Sequence, residues 1–279
     1  MSALRGRHIE LWVEAREGQP AVNPVMSLLL ERLAGAGARA TVRVPEDDVA
    51  DTTARAPHLV LLKSATTLAV SLAVAEQARG TRTLNHADAT LRAHDKAAAI
   101  ARLAAAGVPV PETWLVAPGG GRPADPADRG GWIGKPTRGV HGRGITRHAA
   151  FPAAADLAPV TPPAVARMLD DGTRLAQRQV GTGEDDIKVY VAGRRQFAGR
   201  KAFGPSSYTD DRIAPVTLDA AVADAVHASG EALGLTLFGV DLREHDGRIA
   251  VIDVNPFPGY RGFPDAVGPI LHDIREALR

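Results

Sequence analysis

The chain has 279 residues, 45% of them hydrophobic and 23% charged, with a formal net charge of +1 and no cysteine. That length has room for two or three compact lobes, and the near-zero charge excludes a bulk attraction to nucleic acid or to an anionic membrane. The missing cysteines exclude disulfides, thiolate metal sites and cysteine nucleophiles, and no uninterrupted apolar run reaches the roughly eighteen residues of a membrane span, so the expectation is a cytoplasmic globular protein.

His8 to Val13 alternates as a first strand and runs into the loop Gly18 to Pro24. Val25 to Ala34 repeats apolar residues at helical spacing, Ala40 to Val44 and His58 to Leu62 are two further strands, Thr67 to Arg79 is a helix, and a short strand surrounds Thr83 and Leu84. Strands alternating with helices predict a small parallel α/β domain over residues 1–90. Lys63 falls just past the end of one of its strands, where ligands of open α/β sheets gather.

Asn85 to Thr90 follows, and Asp95-Lys96 then opens an alanine-rich helix to Ala106. Gly107 ends that helix, and Pro109 and Pro111 force extended chain. Beyond a polar loop from Pro118 to Gly131, Trp132 to Pro136 is a short strand that delivers Lys135 into the segment Thr137 to Ile145. There Gly139, Gly142 and Gly144 let the backbone approach a phosphate closely, while Lys135, Arg138 and Arg143 supply charge. The segment is neither a Walker loop nor a dinucleotide fingerprint, and a plain turn is the competing reading. His141 either contacts phosphate or substrate or faces solvent.

Phe151 to Pro163 reads as an irregular stretch with a short helical segment. Arg174 to Val180, Asp186 to Ala192 and Gln196 to Phe203 are strands, with a turn at Arg194-Arg195. In the middle one Asp186, Lys188 and Tyr190 share a face opposite Ile187, Val189 and Val191, and in the third Arg200 and Lys201 point apart. Ala220 to Leu233 is an amphipathic helix stopped by Gly234, and a last helix runs from Ile270 to Leu278.

Between those two helices, Leu237 to Pro256 reads as a β-hairpin about Asp246-Gly247. Phe238, Val240 and Leu242 share a face, as do Ala250, Ile252 and Val254, which leaves Asp241, Asp253 and Asn255 on the opposite faces. Pairing the apolar sets sets Leu242 against Ile252 and Asp241 against Asp253, and this parity predicts a three-residue loop of Asp246, Gly247 and Arg248. Two facing carboxylates repel by up to about 1 kcal/mol, so a cation between them is expected. Two Asp and an Asn offer hard oxygen ligands suited to magnesium or manganese, and the alternative is a solvated acidic strand face.

Five lysines stand against twenty-eight arginines: Lys63, Lys96, Lys135, Lys188 and Lys201. A chain so biased keeps lysine where a compact ammonium is needed, unless the five are scattered accidents.

The order of these parts resembles the ATP-grasp superfamily from about residue 8 to the end. The parts are Asp95-Lys96 before a helix, Gly107-Val-Pro-Val-Pro-Glu-Thr113 after it, Lys135-Pro136 with the glycine loop, Gln177 to Val180, Asp186-Ile-Lys188, and Asp241 with Asp253-Val-Asn255. Asn85 to Thr113 looks most like the RimK-like ligases, which join amino acids to a carboxylate. The ending Asp253 to Gly262 is instead similar to the ATP-grasp inositol polyphosphate kinases. RimK-like ligases usually carry Glu where this chain has Asp253.

The resemblance implies an α/β fold, α+β in its ATP-binding lobes. It comprises an N-terminal domain over residues 1–90, a central lobe with the glycine loop over 91–172, and a C-terminal lobe with the metal site over 173–279. It also implies roles. Lys96 and Lys135 hold the α- and β-phosphates of ATP, and the loop of Gly139, His141, Gly142, Arg143 and Gly144 closes over the triphosphate. Gln177, Gln179 and Val180 form the adenine hinge, with Glu184 or Asp185 near ribose and Asp186 also on the nucleotide side. Asp241, Asp253 and Asn255 hold Mg2+ or Mn2+. Lys188 and Arg200, facing one cleft from adjacent strands, neutralise the transferred group, and Arg261 clamps the acceptor.

The activity implied is an ATP-dependent carboxylate–amine ligase working through an acyl phosphate. Its partners are a small-molecule or peptide carboxylate and an amine acceptor, with no nucleic acid or membrane, and a homodimer is what family members often form. The alternatives are a small-molecule kinase acting on a hydroxyl and a nucleotide-binding protein without turnover.

Overall fold

The computed structural model describes residues 3–16, 18–47, 56–117, 120, 130–138, 144–153, 156–157, 173–181, 185–202 and 213–279. The chain opens with β1 (His8–Trp12), a small ribbon of β2 (Ala15–Arg16) and β3 (Gln19–Pro20), α1 (Pro24–Gly35), β4 (Arg39–Arg43), β5 (Leu59–Leu62), α2 (Thr67–Ala78) and β6 (Arg82–Leu84). Strands β4-β1-β5-β6 form one parallel sheet in that order, as the alternation of strands and helices predicts. All four residues of β5 are buried, as expected of a strand covered on both faces. The Asn23 side chain caps α1 by accepting from the Met26 amide, and Thr66 caps α2 through the Ala69 amide.

Two helices follow, α3 (Ala87–His94) and α4 (Lys96–Ala105). Asp95 ends the first in extended conformation, and its carboxylate caps the second by accepting from the Ala98 amide at 3.0 Å. That shared cap fixes Lys96 in the first turn of α4. Gly107, at φ 76°, ends the helical stretch as expected.

Strands β7 (Thr113–Val116), β8 (Trp132–Pro136), β9 (Thr146–His148) and β10 (Arg174–Arg178) form an antiparallel sheet in the order β7-β10-β8-β9. The last sheet, ordered β13-β12-β11-β14-β15, holds β11 (Asp185–Ala192), β12 (Arg195–Ala202), β13 (Ala214–Pro215), β14 (Leu237–His245) and β15 (Arg248–Pro256). Helix α5 (Ala220–Leu233) precedes the hairpin and ends at left-handed Gly234, and α6 (Val267–Ala277) closes the chain. Among the described residues no helix is long and apolar enough to cross a membrane.

One core lies between the five-stranded sheet and the helices α4 and α5, gathering Ile100, Leu103, Val189, Val226 and Val240. A second joins the parallel sheet and α1 to Phe257, Tyr260 and α6. Polar anchors reinforce that junction. Buried Asn85 donates to the Leu237 carbonyl at 2.6 Å and accepts from the Thr236 and Leu237 amides, both at 2.9 Å. Asn23 donates to the Gly259 carbonyl at 2.9 Å, and the buried Tyr260 hydroxyl donates to the Val191 carbonyl at 2.6 Å.

The hairpin differs from its expected form. Asp246 and Gly247 alone make the turn, both with positive φ (50° and 70°), and His245 pairs with Arg248. This is the mirror-image two-residue turn whose twist suits a hairpin and for which Asp-Gly is suited. The missing loop residue reappears as a bulge: Asp241 faces Asp253 as expected, but Leu242 faces Val251, leaving Ile252 outside the pairing. The core set on β15 is therefore Val251 and Val254, with Ile252 turned out of it.

Candidate active site

Strands β14 and β15 place Asp241 directly opposite Asp253. The expected counter-charge comes from lysines. Lys188 of β11 pairs with Asp241 across the β11–β14 ladder and donates to its Oδ1 at 2.9 Å. Lys96, delivered by the Asp95 cap, donates to both oxygens of Asp253 at 2.6 and 2.7 Å. Burial pushes the Asp253 carboxyl up, but the ammonium groups of Lys96 and Lys135 more than reverse this and hold it below the usual carboxylate range. For Lys188, burial opposes the charge and adjacent Asp241 outweighs it, so its pKa is raised.

Lys135 is buried and donates to Gln177 Oε1 at 2.7 Å and to the Ile252 carbonyl at 3.2 Å, the peptide exposed by the bulge. Burial lowers its pKa to about 8 against the pull of Asp253. Together with Gln179, Val180, Asp186, Arg243 and Ile133 it lines a cleft between the two antiparallel sheets. Asp186 is buried, which raises its pKa despite the Arg243 Nε that donates to it at 2.7 Å. Asn255 follows Asp253 on the same face, and its side chain makes no hydrogen bond among the described residues. Among those residues no three His, Cys, Asp or Glu side chains converge as a metal site. The available donors are two carboxylates and one amide, all hard oxygens, a set that fits magnesium or manganese.

A second cleft of about 300 Å³ opens on the other side of this array, at the carboxyl ends of the parallel strands. Its walls carry Glu14 and Arg16 from the first ribbon, Lys63 from the end of β5, His94 and Lys96 from the helix pair, and Asn255 and Arg261 from the C-terminal turn. Lys63, expected at a ligand-gathering strand end, and Arg261, expected to clamp the acceptor, thus meet in one cavity. Burial lowers the pKa of His94, aided by Lys96 and Arg138.

Other expectations fared differently. Arg200 faces Ile187 across the β11–β12 ladder, while Lys188 faces Gly199, so Arg200 lies on the opposite face from Lys188 and does not share its cleft. Its guanidinium reaches Glu244 at 3.1 Å instead. Lys201 stands opposite Asp186 and so occupies the face expected of Arg200. Gln177 is nearly fully buried, its side chain held by Lys135 and Thr113. Gly144 is left-handed at φ 73°, while Gly139, His141, Gly142, Arg143 and Glu184 lie outside the described residues. Arg243 and His94 were not singled out. Period-two alternation along Asp241-Leu242-Arg243 signals the first, while nothing local to the sequence signals the second.

The inositol 1,3,4-trisphosphate 5/6-kinase ATP-grasp domain profile matches residues 209–274. Inositol-tetrakisphosphate 1-kinase of Danio rerio is 43% identical over 51 residues, 18% of this chain and 13% of that protein. A probable alpha-L-glutamate ligase of Xanthomonas oryzae pv. oryzae is 29% identical over 220 residues, covering 72% of this chain and 70% of the relative. Among solved structures, the RimK domain protein ATP-grasp from Sphaerobacter thermophilus superposes with a TM-score of 0.71 at 20% identity, covering 97% of this chain and 99% of the other. D-cycloserine synthetase DcsG gives 0.68 at 23% identity, covering 98% and 100%. At such identities the structures establish the fold.

Proposed function

We propose, from the premise that this chain is a member of the ATP-grasp superfamily, that it is an ATP-dependent carboxylate–amine ligase. The observation that carries the reading is the position of the Asp241–Asp253 pair and its lysines between two clefts. One, lined by Lys135 and the 177–180 strand end, takes the nucleotide; the other, lined by Lys63 and Arg261, takes the acid. The ligase-type relative matches across most of both chains, whereas the kinase match is confined to the C-terminal segment.

In this reading the γ-phosphoryl bond to ADP breaks as an oxygen of the acceptor carboxylate bonds to phosphorus. The resulting acyl phosphate is attacked by an amine, which loses a proton and expels phosphate to leave an amide. Such transfer depends on positioning and on neutralising charge as it moves between oxygens. Lys135 holds nucleotide phosphate from the buried side. Lys96 and Lys188, already aligned on the two carboxylates, sit where the transferred group passes. Asp241, Asp253 and Asn255 would hold Mg2+ or Mn2+, which when bound would supply positive charge to offset that of the nucleotide phosphates. The division into an N-terminal domain over residues 1–90 and lobes over 91–172 and 173–279 belongs to the same proposal.

The test is release of ADP and free phosphate from magnesium ATP with pooled carboxylic acids, with and without pooled amines, and separately with pooled polyols and inositol phosphates. Free phosphate that requires both acid and amine is the expected result. ADP without free phosphate, together with a phosphorylated polyol, would instead support the kinase reading that the match over residues 209–274 favours.

A further inference from the structure

The two steps of the proposed reaction differ in their proton requirements. A carboxylate carries no proton to lose when it takes the phosphoryl group. An amine does: as its nitrogen bonds to the acyl carbon the N–H becomes acidic, and a base within reach speeds such a step by roughly 100- to 10,000-fold. In the acid-side cleft Arg16 and Arg261 carry no acceptor, and the Lys96 ammonium is committed to both oxygens of Asp253. Lys63, an ammonium below about pH 8, is a donor at neutral pH.

His94 has both the place and the freedom for the task. It is the last residue of α3, and the next residue, Asp95, is at once the end of that helix and the cap of α4. The imidazole is therefore fixed to the same backbone corner as Lys96, and the two side chains line the cleft together with Asn255. The ring is half-buried, and neither of its nitrogens makes a hydrogen bond with the described residues. Burial holds its pKa below the ordinary value of 6.5, with Lys96 and Arg138 reinforcing this and Glu14 and Asp95 opposing it. Arg138 is itself shared with Asp95, 3.7 Å away. At neutral pH the ring is uncharged, and one nitrogen offers a free lone pair.

We propose that His94 is the general base of amide formation. This rests on the ligase reading. One ring nitrogen takes the proton that the amine loses as the new carbon–nitrogen bond forms. The carbon–oxygen bond to phosphate then breaks, phosphate leaves with the bonding pair, and the imidazolium passes its proton to water as the cleft empties. Glu14 and Asp95 favour the imidazolium while it exists, and Lys96 and Arg138 drive its return to the free base.

The experiment supplies magnesium ATP and the pooled carboxylic acids to the parent and to His94→Gln, with either pooled amines or hydroxylamine as the nucleophile. Hydroxylamine is already neutral at neutral pH and traps acyl phosphate as hydroxamate, so it reports the first step. In the variant, amine-dependent amide formation should fall by at least ~100-fold, while hydroxamate formation stays within about threefold of the parent. A second measurement is the pH profile. Amide formation by the parent should show an inflection below pH 6.5, and Glu14→Gln should move it to lower pH, because the carboxylate that raises the His94 pKa is gone.

A smaller loss with amines, a matching loss with hydroxylamine, which marks a structural role, or an inflection that Glu14→Gln leaves in place would each overturn the proposal. Failure of the ligase reading appears in the parent instead, as absence of amine-dependent phosphate release, and removes both.

Discussion

Asp253→Asn removes one negative charge and keeps the side-chain shape. Lys96 now donates two short bonds to the carboxylate, at 2.6 and 2.7 Å. Hydrogen bonds to charged groups contribute about 1.5–3 kcal/mol each, and the amide retains one acceptor oxygen, so about one such bond is lost. The Asp253 side chain keeps 25% of its exposure, and solvent screening brings the expected stability loss to about 1–2 kcal/mol. That corresponds to a fall in melting temperature of roughly 2–4 °C for a chain of this size. Turnover should suffer far more. The variant loses a proposed metal ligand and the charge that aligns Lys96, and a loss of at least ~1,000-fold in ADP release corresponds to about 4 kcal/mol of transition-state stabilisation. Both quantities are read on one preparation, by thermal melting and by coupled ADP release at saturating ATP. A variant that melts as expected yet releases ADP within about threefold of the parent refutes the assignment of Asp253 to the reaction centre.

Lys188→Ala should reduce ADP release by at least ~100-fold, whereas Arg200→Ala, on the other face of the sheet, should change it less than about threefold; the reverse order would invalidate the register argument. Asn85→Ala removes three buried hydrogen bonds across the junction of β6 and β14 and should cost about 2–4 kcal/mol, measured by urea denaturation. Burial lowers the Lys63 pKa to about 8, with Glu14 opposing and Arg16 and Arg261 reinforcing the shift. In the ligand-free protein Lys63 is therefore charged below about pH 8 and neutral above it, so the binding of an anionic acceptor in the cleft it lines should weaken as pH rises through that value. The sign for folding is opposite: the unfolded chain binds the proton up to its ordinary value of 10.5, so this residue's contribution to stability rises between about pH 8 and 10.5. Chemical denaturation across that window should show the relative gain vanish in Lys63→Met.

The two carboxylates were readable because a strand alternates with period two and Asp-Gly announces the turn. The bulge was not. A two-residue turn plus one unpaired residue places Asp241 against Asp253 just as a three-residue loop does, so the two solutions differ only at Ile252 and beyond. The misplacement of Arg200 had a local remedy. With Gly193 and Arg194 as the turn, even positions pair with odd ones, and Lys188 cannot share a face with Arg200. Helix α3 escaped because it has only eight residues and its cap is a histidine. The Lys96–Asp253 contact spans 157 positions, and no periodicity reaches so far.

Asn23 caps α1 with its oxygen and holds the Gly259 carbonyl with its amide nitrogen, and a Cβ on Gly259 would come within 2.4 Å of that nitrogen. Swinging the parallel sheet away from the C-terminal turn would therefore break the Asn23–Gly259 bond, with the local α1 cap left in place, as well as open the core shared by Leu29, Phe257 and Ile270. The antiparallel sheet of β7 to β10 is held more lightly. It has its own small core around Trp132 and Phe151, and polar threads tie this sheet and the chain beside it to the rest: Lys135 to the Ile252 carbonyl, the Lys96 amide to the Thr137 carbonyl, and the Val251 amide to the Pro109 carbonyl. If the cleft between the antiparallel sheets takes the nucleotide, as proposed, opening it would require these polar ties to be released. Lys135, whose ammonium crosses the gap to the Ile252 carbonyl, would be among the contacts released.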